Sequence, residues 1–346
     1  MCNIAGYIGE KQAAPILLEM LRRQAPYDGD MSTGVATIHE GKLYYRKIVG
    51  DVDKFIRETD ILDLPGTIGI AHTRPGGNPA EMPRHPFISA AEDMAMVLNG
   101  TGPKPKHYEI RNAAADYLDG LGYPFRMLSP KGFPPQLSRT GEFSPTGEVC
   151  CFMMEDYLKK GLSISEAQAR ALEHIFTDAI TVVINQNYPD TIFALRVTRP
   201  MEVIFEKGEV YMATCRYAFP EELKNEPISL PLTHACQITK SGIQVTPYRV
   251  EVEPVAEMSP FTYKEGYKRV EALLKSGEKL FFDDLEFAVD KEMRDLWDGD
   301  HTYVQHARLL YELLWQFDQE GRLKREMRIQ ETRSGPRHRW YFWIED

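Results

Sequence analysis

The chain opens with MCNIAGYIG, residues 1–9, in which a cysteine directly follows the initiator methionine. Because the side chain of Cys2 is small, methionine aminopeptidase is expected to remove Met1 and leave Cys2 as the mature N-terminus. Cys2 then carries a thiol and a free α-amine, and an amine with an unperturbed pKa of about 7.7–8.0 can act as the base for that thiol. The apolar residues from Ile4 to Ile8 predict a short buried strand that holds the terminus in place. The competing interpretation is a second-position cysteine without a chemical role.

Composition and charge limit the classes of protein to consider. A chain of 346 residues holds one large or two ordinary domains, and 43% hydrophobic and 27% charged residues are typical of a soluble globular protein. There is no apolar run long enough to span a bilayer and no secretory signal pattern. The formal net charge of -10 argues against nucleic acid as the main partner.

The cysteines indicate a reducing compartment. Their number is odd and their spacing shows no zinc-type pairing. The five are Cys2, Cys150, Cys151, Cys215 and Cys236. We therefore expect a cytoplasmic protein that binds no metal and no cofactor.

Hydrophobic periodicity predicts an α+β chain. An amphipathic helix is expected at 12–24 and a hairpin at 35–48, with strands at 66–74 and 94–98. Helices follow at 148–160 and 164–176, and then a series of strands between 179 and 247. The order of strands, helices and strands is typical of layered folds built from antiparallel sheets.

The pattern changes near residue 253, and the remainder reads as three helices and a terminal hairpin. We therefore divide the chain into a domain at 1–252 and a helical module at 261–346. The module is rich in basic residues near its end: Arg322, Lys324, Arg325, Arg328, Arg333, Arg337, His338 and Arg339. Two interpretations remain open, a winged helix with a basic wing and a docking or dimerisation module.

Several motifs of the first domain stand in the order of one known family. They are CNIAG at 2–6, ILLEMLRR at 16–23, GIAHTRP at 69–75, His-Pro at 85–86, LNG at 98–100 and IFALR at 192–196. On these motifs the chain resembles the type 2, N-terminal-nucleophile glutamine amidotransferases. It is most similar to the glutaminase domain of glutamine–fructose-6-phosphate aminotransferase, in register to about Arg249.

The resemblance implies a fold and a set of site residues. The fold is a four-layer αββα sandwich of antiparallel sheets. The implied reaction releases ammonia from glutamine or a related amide, with Cys2 as nucleophile and with Asn99 and the backbone N–H of Gly100 as the oxyanion hole. Arg74 is implied to hold the substrate α-carboxylate, and His85 to lie in the substrate pocket.

One departure from the family bears on the substrate. The family's Thr-Asp-Thr-Glu-Val stretch, whose aspartate binds the glutamine ammonium, corresponds to residues 145–149, and we take Gly147 to replace the aspartate. A glycine cannot pair with a cation, so the substrate is either glutamine or another amide. The alternative function is that of a catalytically weak or inactive member that binds and regulates through its C-terminal module.

A second departure bears on partners. About a hundred residues follow the matched part, where family synthases continue into a large acceptor domain. We therefore expect a separate synthase chain to accept the ammonia, and a homo-oligomer is compatible with the sequence. Neither a membrane nor a nucleic acid is the expected partner.

Overall fold

The computed structural model describes residues 2–74, 85–100, 104–251, 254–297, 299, 303–332 and 335–345. Arg333, which was assigned to the basic hairpin, lies outside these ranges. Within them, no helix is both long and apolar enough to cross a lipid bilayer. The same ranges contain no group of three or more acidic, histidine or cysteine side chains placed to hold a metal ion.

Eight α-helices are formed by the described residues. In chain order they are α1 (Ala13–Gln24), α2 (Val52–Glu58), α3 (Tyr108–Gly120), α4 (Thr146–Lys159), α5 (Ile164–Glu173), α6 (Pro260–Leu274), α7 (Phe282–Lys291) and α8 (His306–Gln319). The predicted helices are present, with ends shifted by a few residues. The sequence patterns did not predict α2 or α3.

Sixteen strands accompany these helices. They are β1 (Asn3–Ile8), β2 (Ser32–His39), β3 (Lys42–Ile48), β4 (Ile68–Arg74), β5 (Phe87–Ile88), β6 (Met94–Asn99), β7 (Ile180–Asn185), β8 (Ile192–Arg196), β9 (Glu202–Glu206), β10 (Glu209–Ala213), β11 (Ile228–Ser229), β12 (His234–Thr239), β13 (Gly242–Arg249), β14 (Leu280–Phe281), β15 (Leu323–Thr332) and β16 (Gly335–Ile344).

The strands form three sheets. The first has the spatial order β11–β9–β10–β1–β4–β2–β3, and the second has the order β13–β12–β8–β7–β6–β5. Neighbouring strands in both sheets are antiparallel, so the predicted combination of helices with antiparallel sheets is confirmed. The third sheet, β14–β16–β15, belongs to the C-terminal part of the chain.

Alternation along β1 decides which side chains face the second sheet. Ala5 and Tyr7 pack in a core with α1 and α2. Ile4 and Ile8 instead pack with side chains of β6, β7 and β8 from the second sheet. Successive side chains of a strand point to opposite faces, so Cys2 shares the face of Ile4, toward the second sheet. A further core packs α3, α4 and α5 against the second sheet.

The C-terminal residues have their own core, which includes two residues of the first 252. Side chains from α6, α7, α8, β15 and β16 pack together, and Tyr27 and Cys215 join them. The ring of Tyr27 stacks on Tyr217 with centroids 4.7 Å apart, and on Phe342 with centroids 5.8 Å apart. The module is therefore packed against the first part of the chain through aromatic contacts.

Candidate active site

The site is built where β1 begins and β6 ends. The side-chain amide of Asn99 donates a hydrogen bond of 2.8 Å from Nδ2 to the carbonyl oxygen of Cys2. Asn99 is the last residue of β6 and is 3% exposed, and in the ladder it lies opposite Ile180 of β7. Two predicted catalytic residues that are 97 positions apart are thus in direct contact.

Arg74 lies next to Cys2 in the first sheet. The register of β1 and β4 pairs Asn3 with Thr73, so the next residue of β4, Arg74, falls opposite Cys2. The Nη1 atom of Arg74 is buried and has no hydrogen-bond partner among the described residues. A buried guanidinium nitrogen without a partner is costly, and a bound carboxylate would satisfy it.

Gly100 is in close contact with the segment that leads into β7. A Cβ atom at this position would lie 3.0 Å from Oγ1 of Thr177 and 3.1 Å from Cβ of Ala179. Because only glycine lacks that atom, the backbone can approach the segment this closely. The geometry accounts for the Asn-Gly pair at the end of β6.

His85 lies beside the strand that carries Arg74. Its ring stacks on His72, with centroids 3.6 Å apart, and meets the edge of Phe87 at 4.4 Å. Burial, together with the charge of Arg74, lowers the pKa of His72 to about 3, so this imidazole is neutral at physiological pH. The structure therefore places His85 in a buried ring stack close to Arg74.

The thiol of Cys2 is subject to opposing electrostatic effects. Burial raises its pKa above the usual value, while the positive charges of the amino terminus, Arg74 and Arg199 lower it and the carboxylate of Glu286 raises it. The net direction is upward, so the thiol is protonated at neutral pH and needs a base to activate it. An α-amine on the same residue would be such a base.

The assignment of Gly147 needs a correction. Set residue by residue against Thr-Asp-Thr-Glu-Val, residues 145–149 put Thr146, and not Gly147, opposite the aspartate. Moreover, a Cβ atom at Gly147 would lie 2.1 Å from Cε2 of Phe87, so that ring closes the position to any side chain. The hydroxyl of Thr146 accepts a 3.2 Å hydrogen bond from the buried guanidinium of Arg111. No carboxylate replaces the family's aspartate at either position.

Arg111 comes from α3, a helix that the sequence patterns did not predict. It is fully buried, and burial lowers its pKa to about 10. Beside Thr146, its nitrogens bind the carbonyl oxygens of Ile175 at 2.6 Å and Phe176 at 3.2 Å. These bonds hold the segment that leads to Thr177 and therefore to Gly100.

A buried ion-pair cluster joins this segment to the C-terminal part of the chain. Arg199 contacts a carboxylate oxygen of Asp178 at 2.9 Å and donates to Oε1 of Glu286 at 2.9 Å. Nε2 of His306 lies 3.2 Å from the same Oε1 atom, and its Nδ1 lies 3.5 Å from Asp290. Glu286, His306 and Asp290 belong to α7 and α8, so the C-terminal part contributes charges to the site.

The terminal hairpin packs on the loop after α1. Arg339 is 4% exposed and donates to the carbonyl oxygens of Ala25 at 2.8 Å and Gly29 at 2.9 Å. The backbone N–H of Trp340 donates to Pro26 at 2.9 Å. In the same loop, the carbonyl oxygen of Asp28 accepts a hydrogen bond from the side-chain amide of Asn3, the neighbour of Cys2. The hairpin therefore supports a loop that contacts β1.

Several basic residues assigned to a wing have intramolecular partners. Arg322 pairs with Glu271 and Glu320, and Arg328 pairs with Glu326. Arg339 is buried against the loop after α1. These contacts reduce the positive charge available to a polyanion on this hairpin.

Sequence reasoning missed Arg111, Arg199 and Glu286. A single arginine or glutamate in a polar stretch carries no signal of its own, since most such residues lie on a solvated surface. Neither the dipeptide Arg199-Pro200 nor the helical periodicity of α7 indicates that the charges of Arg199 and Glu286 meet.

Comparison with known proteins agrees with the geometry. No protein-family model matches the chain. It is 30% identical over 257 residues to glutamine–fructose-6-phosphate aminotransferase of Thermosynechococcus vestitus, a match that covers 73% of this chain and 36% of that protein. It is 34% identical over 218 residues to the protein of the same name from Caldanaerobacter subterraneus, covering 62% of this chain and 31% of that protein. The chain spans about a third of the length of these curated relatives.

A solved structure shares the fold. The glutamine phosphoribosylpyrophosphate amidotransferase of B. subtilis, solved with ADP and GMP, superposes with a TM-score of 0.57 over 80% of this chain and 59% of that chain, at 13% identity. At that identity the likeness concerns the fold alone. The sequence relatives and the shared fold together make the larger part of the chain similar to the type 2 glutamine amidotransferases, with glutamine–fructose-6-phosphate aminotransferase among its relatives.

Proposed function

We propose that the protein hydrolyses the side-chain amide of glutamine or a related amide, with Cys2 as an N-terminal nucleophile. The observation that carries the proposal is the contact of the Asn99 amide with Cys2, beside a guanidinium of Arg74 whose buried nitrogen has no partner among the described residues. A nucleophile, an amide donor and a carboxylate receptor are then adjacent at the ends of β1, β6 and β4.

The reaction follows from this geometry. The α-amine of Cys2 takes the thiol proton, and the sulfur attacks the carboxamide carbon to form a tetrahedral oxyanion. The Asn99 amide and the N–H of Gly100 stabilise that oxyanion, and one such donor is worth about 2.7–4 kcal/mol of barrier. The amine then passes its proton to the leaving ammonia. Water hydrolyses the thioester that remains, which releases the acid and restores the thiol.

The proposal extends to the architecture and the partner. We assign 1–252 to the amidotransferase domain, as a four-layer αββα sandwich, and 261–346 to a winged-helix-like module. The order α6–β14–α7–α8–β15–β16 and the sheet order β14–β16–β15 support this assignment. In this module α8 and the hairpin contact the first domain, since Trp315 meets Tyr217 with centroids 5.2 Å apart. We propose that a separate synthase chain accepts the ammonia.

The test is covalent labelling by an electrophilic glutamine analogue, read by mass spectrometry of the intact protein and its peptides. We expect a single adduct on Cys2, in protein that lacks Met1. The other four cysteines are internal controls, because each is buried and burial raises the pKa of each thiol, for Cys150 to about 12 and for Cys236 to about 11. An unlabelled Cys2, with no ammonia released from glutamine, would favour the inactive, regulatory alternative.

A further inference from the structure

The buried ion pairs around Arg199 form a part of the molecule that the proposed reaction does not use. Asp178, Arg199 and His306 are each at most 7% exposed, and the side chain of Glu286 is 16% exposed. Charges are taken out of water only at a considerable cost, and this cost is offset when the charges are paired and hydrogen-bonded. Such a cluster needs a structural or functional account.

The cluster is attached directly to the candidate active site. Asp178 stands between Thr177 and Ala179, the two residues that a Cβ atom at Gly100 would touch. The charges of Arg199 and Glu286 also act on the thiol of Cys2. The cluster is therefore near enough to the nucleophile for its charges to act on the thiol, and it adjoins Gly100 at the end of β6.

The cluster has an excess of negative charge. Three carboxylates, on Asp178, Glu286 and Asp290, face one guanidinium, the imidazole of His306 and the positive amino terminus that acts on Glu286, so the sum of charges is negative as long as His306 is neutral. Burial raises the pKa of Glu286, but the hydrogen bond with His306, the positive amino terminus and Arg199 together hold that pKa well below its usual range. Glu286 is therefore ionised at physiological pH.

Glu286 has an oxygen atom left for a ligand. Among the described residues, both hydrogen bonds to its carboxylate end on Oε1, from Arg199 and with His306. The Oε2 atom can accept from a further donor, and the excess charge favours a cation. Arg74, which falls opposite Cys2 in the first sheet, has a buried nitrogen that would take an anion. The charges of both Arg74 and Glu286 act on the Cys2 thiol, so a receptor for an anion and a receptor for a cation are both near the nucleophile.

The position that corresponds to the family's aspartate does not suit an ammonium group. Thr146 has no charge, and its hydroxyl is bound by the guanidinium of Arg111. Described residues supply Arg111 with neutral hydrogen-bond partners only, so its positive charge repels a second cation placed there. An α-ammonium is better accommodated on the side of α7.

We propose that Glu286, supplied by α7 of the C-terminal module, binds the α-ammonium of the amide substrate while Arg74 binds its α-carboxylate. The inference rests on the proposed function and narrows its substrate class to amides of α-amino acids. It makes the C-terminal module a part of the substrate site, and Glu286 a residue that determines specificity.

The experiment compares two ligands that differ only in the ammonium group, L-glutamine and glutaramate. Binding is measured by isothermal titration calorimetry to full-length Cys2→Ala protein, so that no turnover interferes. Glu286→Gln is the test variant, because its amide oxygen can still accept from Arg199. Glu292→Gln is the matched control, since Glu292 is exposed just after the same helix.

We expect Glu286→Gln to weaken glutamine binding ten- to a hundredfold, the effect of losing a hydrogen bond to a charged group, and to change glutaramate binding less than about threefold. Glu286→Asp keeps the negative charge and should therefore keep the preference for glutamine. This variant shows whether the preference depends on the charge of the side chain. Glu292→Gln should change neither affinity. An equal loss for both ligands, or no loss for glutamine, overturns the inference.

The same ligands distinguish this inference from the proposed function. If Cys2 in the unmutated protein is neither labelled nor able to hydrolyse glutamine or glutaramate, the proposed function fails. If hydrolysis occurs and Glu286→Gln leaves the ratio of kcat/KM for the two amides unchanged, only the role of Glu286 fails. Thermal unfolding of each variant shows whether a loss of binding reflects unfolding.

Discussion

Two groups of side chains near Cys2, here called the strand side and the module side, are brought together in different ways. On one side, Cys2, Arg74 and Asn99 stand at the ends of β1, β4 and β6, and the pairing of strands brings them together. On the other side, Asp178, Arg199 and Glu286 meet through side chains from two loops and a helix of the C-terminal module. The first side depends on backbone register, and the second depends on packing between parts of the chain.

The difference separates chemistry from selectivity. Groups placed by strand register vary little in position, which suits a nucleophile and its oxyanion donors. Charges that come from a separate module can change without disturbing those strands. We infer that the strand ends determine whether an amide is hydrolysed, and that the module influences which amide is bound.

The largest effect is expected at the nucleophile. Cys2→Ala should lower kcat for ammonia release by about 10⁴-fold or more, the scale found when other hydrolases lose their nucleophile. The unfolding temperature should not change, because the carbonyl group of Cys2 and not its sulfur accepts the hydrogen bond from Asn99. Ammonia release and differential scanning fluorimetry test the two statements. Substantial activity in Cys2→Ala would rule out this residue as the nucleophile.

The next effect concerns the oxyanion donor on the same side. Asn99→Ala should reduce kcat by about 10²–10³-fold, since one donor of this kind is typically worth about 2.7–4 kcal/mol. Asn187→Ala, in the exposed turn after β7, is the control and should keep its activity. Steady-state kinetics with a coupled ammonia assay measures both. A fall in Asn99→Ala confined to KM would show that Asn99 binds the substrate without stabilising the transition state.

A smaller effect is expected where the hairpin packs on the loop after α1. Arg339→Ala removes buried hydrogen bonds to Ala25 and Gly29 and should lower the free energy of unfolding by about 1.5–3 kcal/mol per bond to the charged group. Arg328→Ala removes a half-exposed ion pair with Glu326 and should change the free energy of unfolding by no more than about 1 kcal/mol. Urea unfolding compares the two. Equal effects would mean that the hairpin contact contributes little to stability.

The most subtle test uses the thiol as a probe of both sides. Arg74 lowers the pKa of the Cys2 thiol and Glu286 raises it. Arg74→Gln should therefore move the pH profile of Cys2 alkylation to higher pH, and Glu286→Gln should move it to lower pH. Because the thiolate reacts, alkylation in each protein becomes faster as pH rises through the pKa of the thiol. Mass spectrometry of iodoacetamide-treated protein gives the rates, and shifts in the same direction would contradict the opposed charges of the two sides.

Much of the strand side was predicted from the sequence. The apolar residues from Ile4 to Ile8 predicted a short buried strand, and β1 with its burial confirms this prediction. The turn at Glu40-Gly41 predicted the β2–β3 hairpin, whose two turn residues have positive φ values of 48° and 70°. Such features depend on neighbours in sequence, and local patterns therefore report them.

The assignment at residues 145–149 was wrong by one position, and nothing in the local sequence indicated what surrounds the motif. A short motif was matched without knowledge of the space around it, and Gly147 was taken as the site of a lost carboxylate. In the structure the ring of Phe87 fills that space, and Arg111 binds the neighbouring Thr146. Both contacts come from residues more than thirty positions away, which no local pattern contains.

By itself the sequence predicted the combination of helices with antiparallel sheets from its periodicity and the nucleophile candidate from a cysteine at position 2, while the partners of Cys2 at the strand ends came from the family resemblance that the motifs carry. Tertiary structure alone decided that α7 brings Glu286 to Arg199, that Arg111 holds the segment beside Gly100, and that Arg339 is buried against the loop after α1. These contacts are long-range pairings of charged side chains. Their energies depend on burial and on the partner that the fold supplies, and neither is encoded in the residues on either side of them.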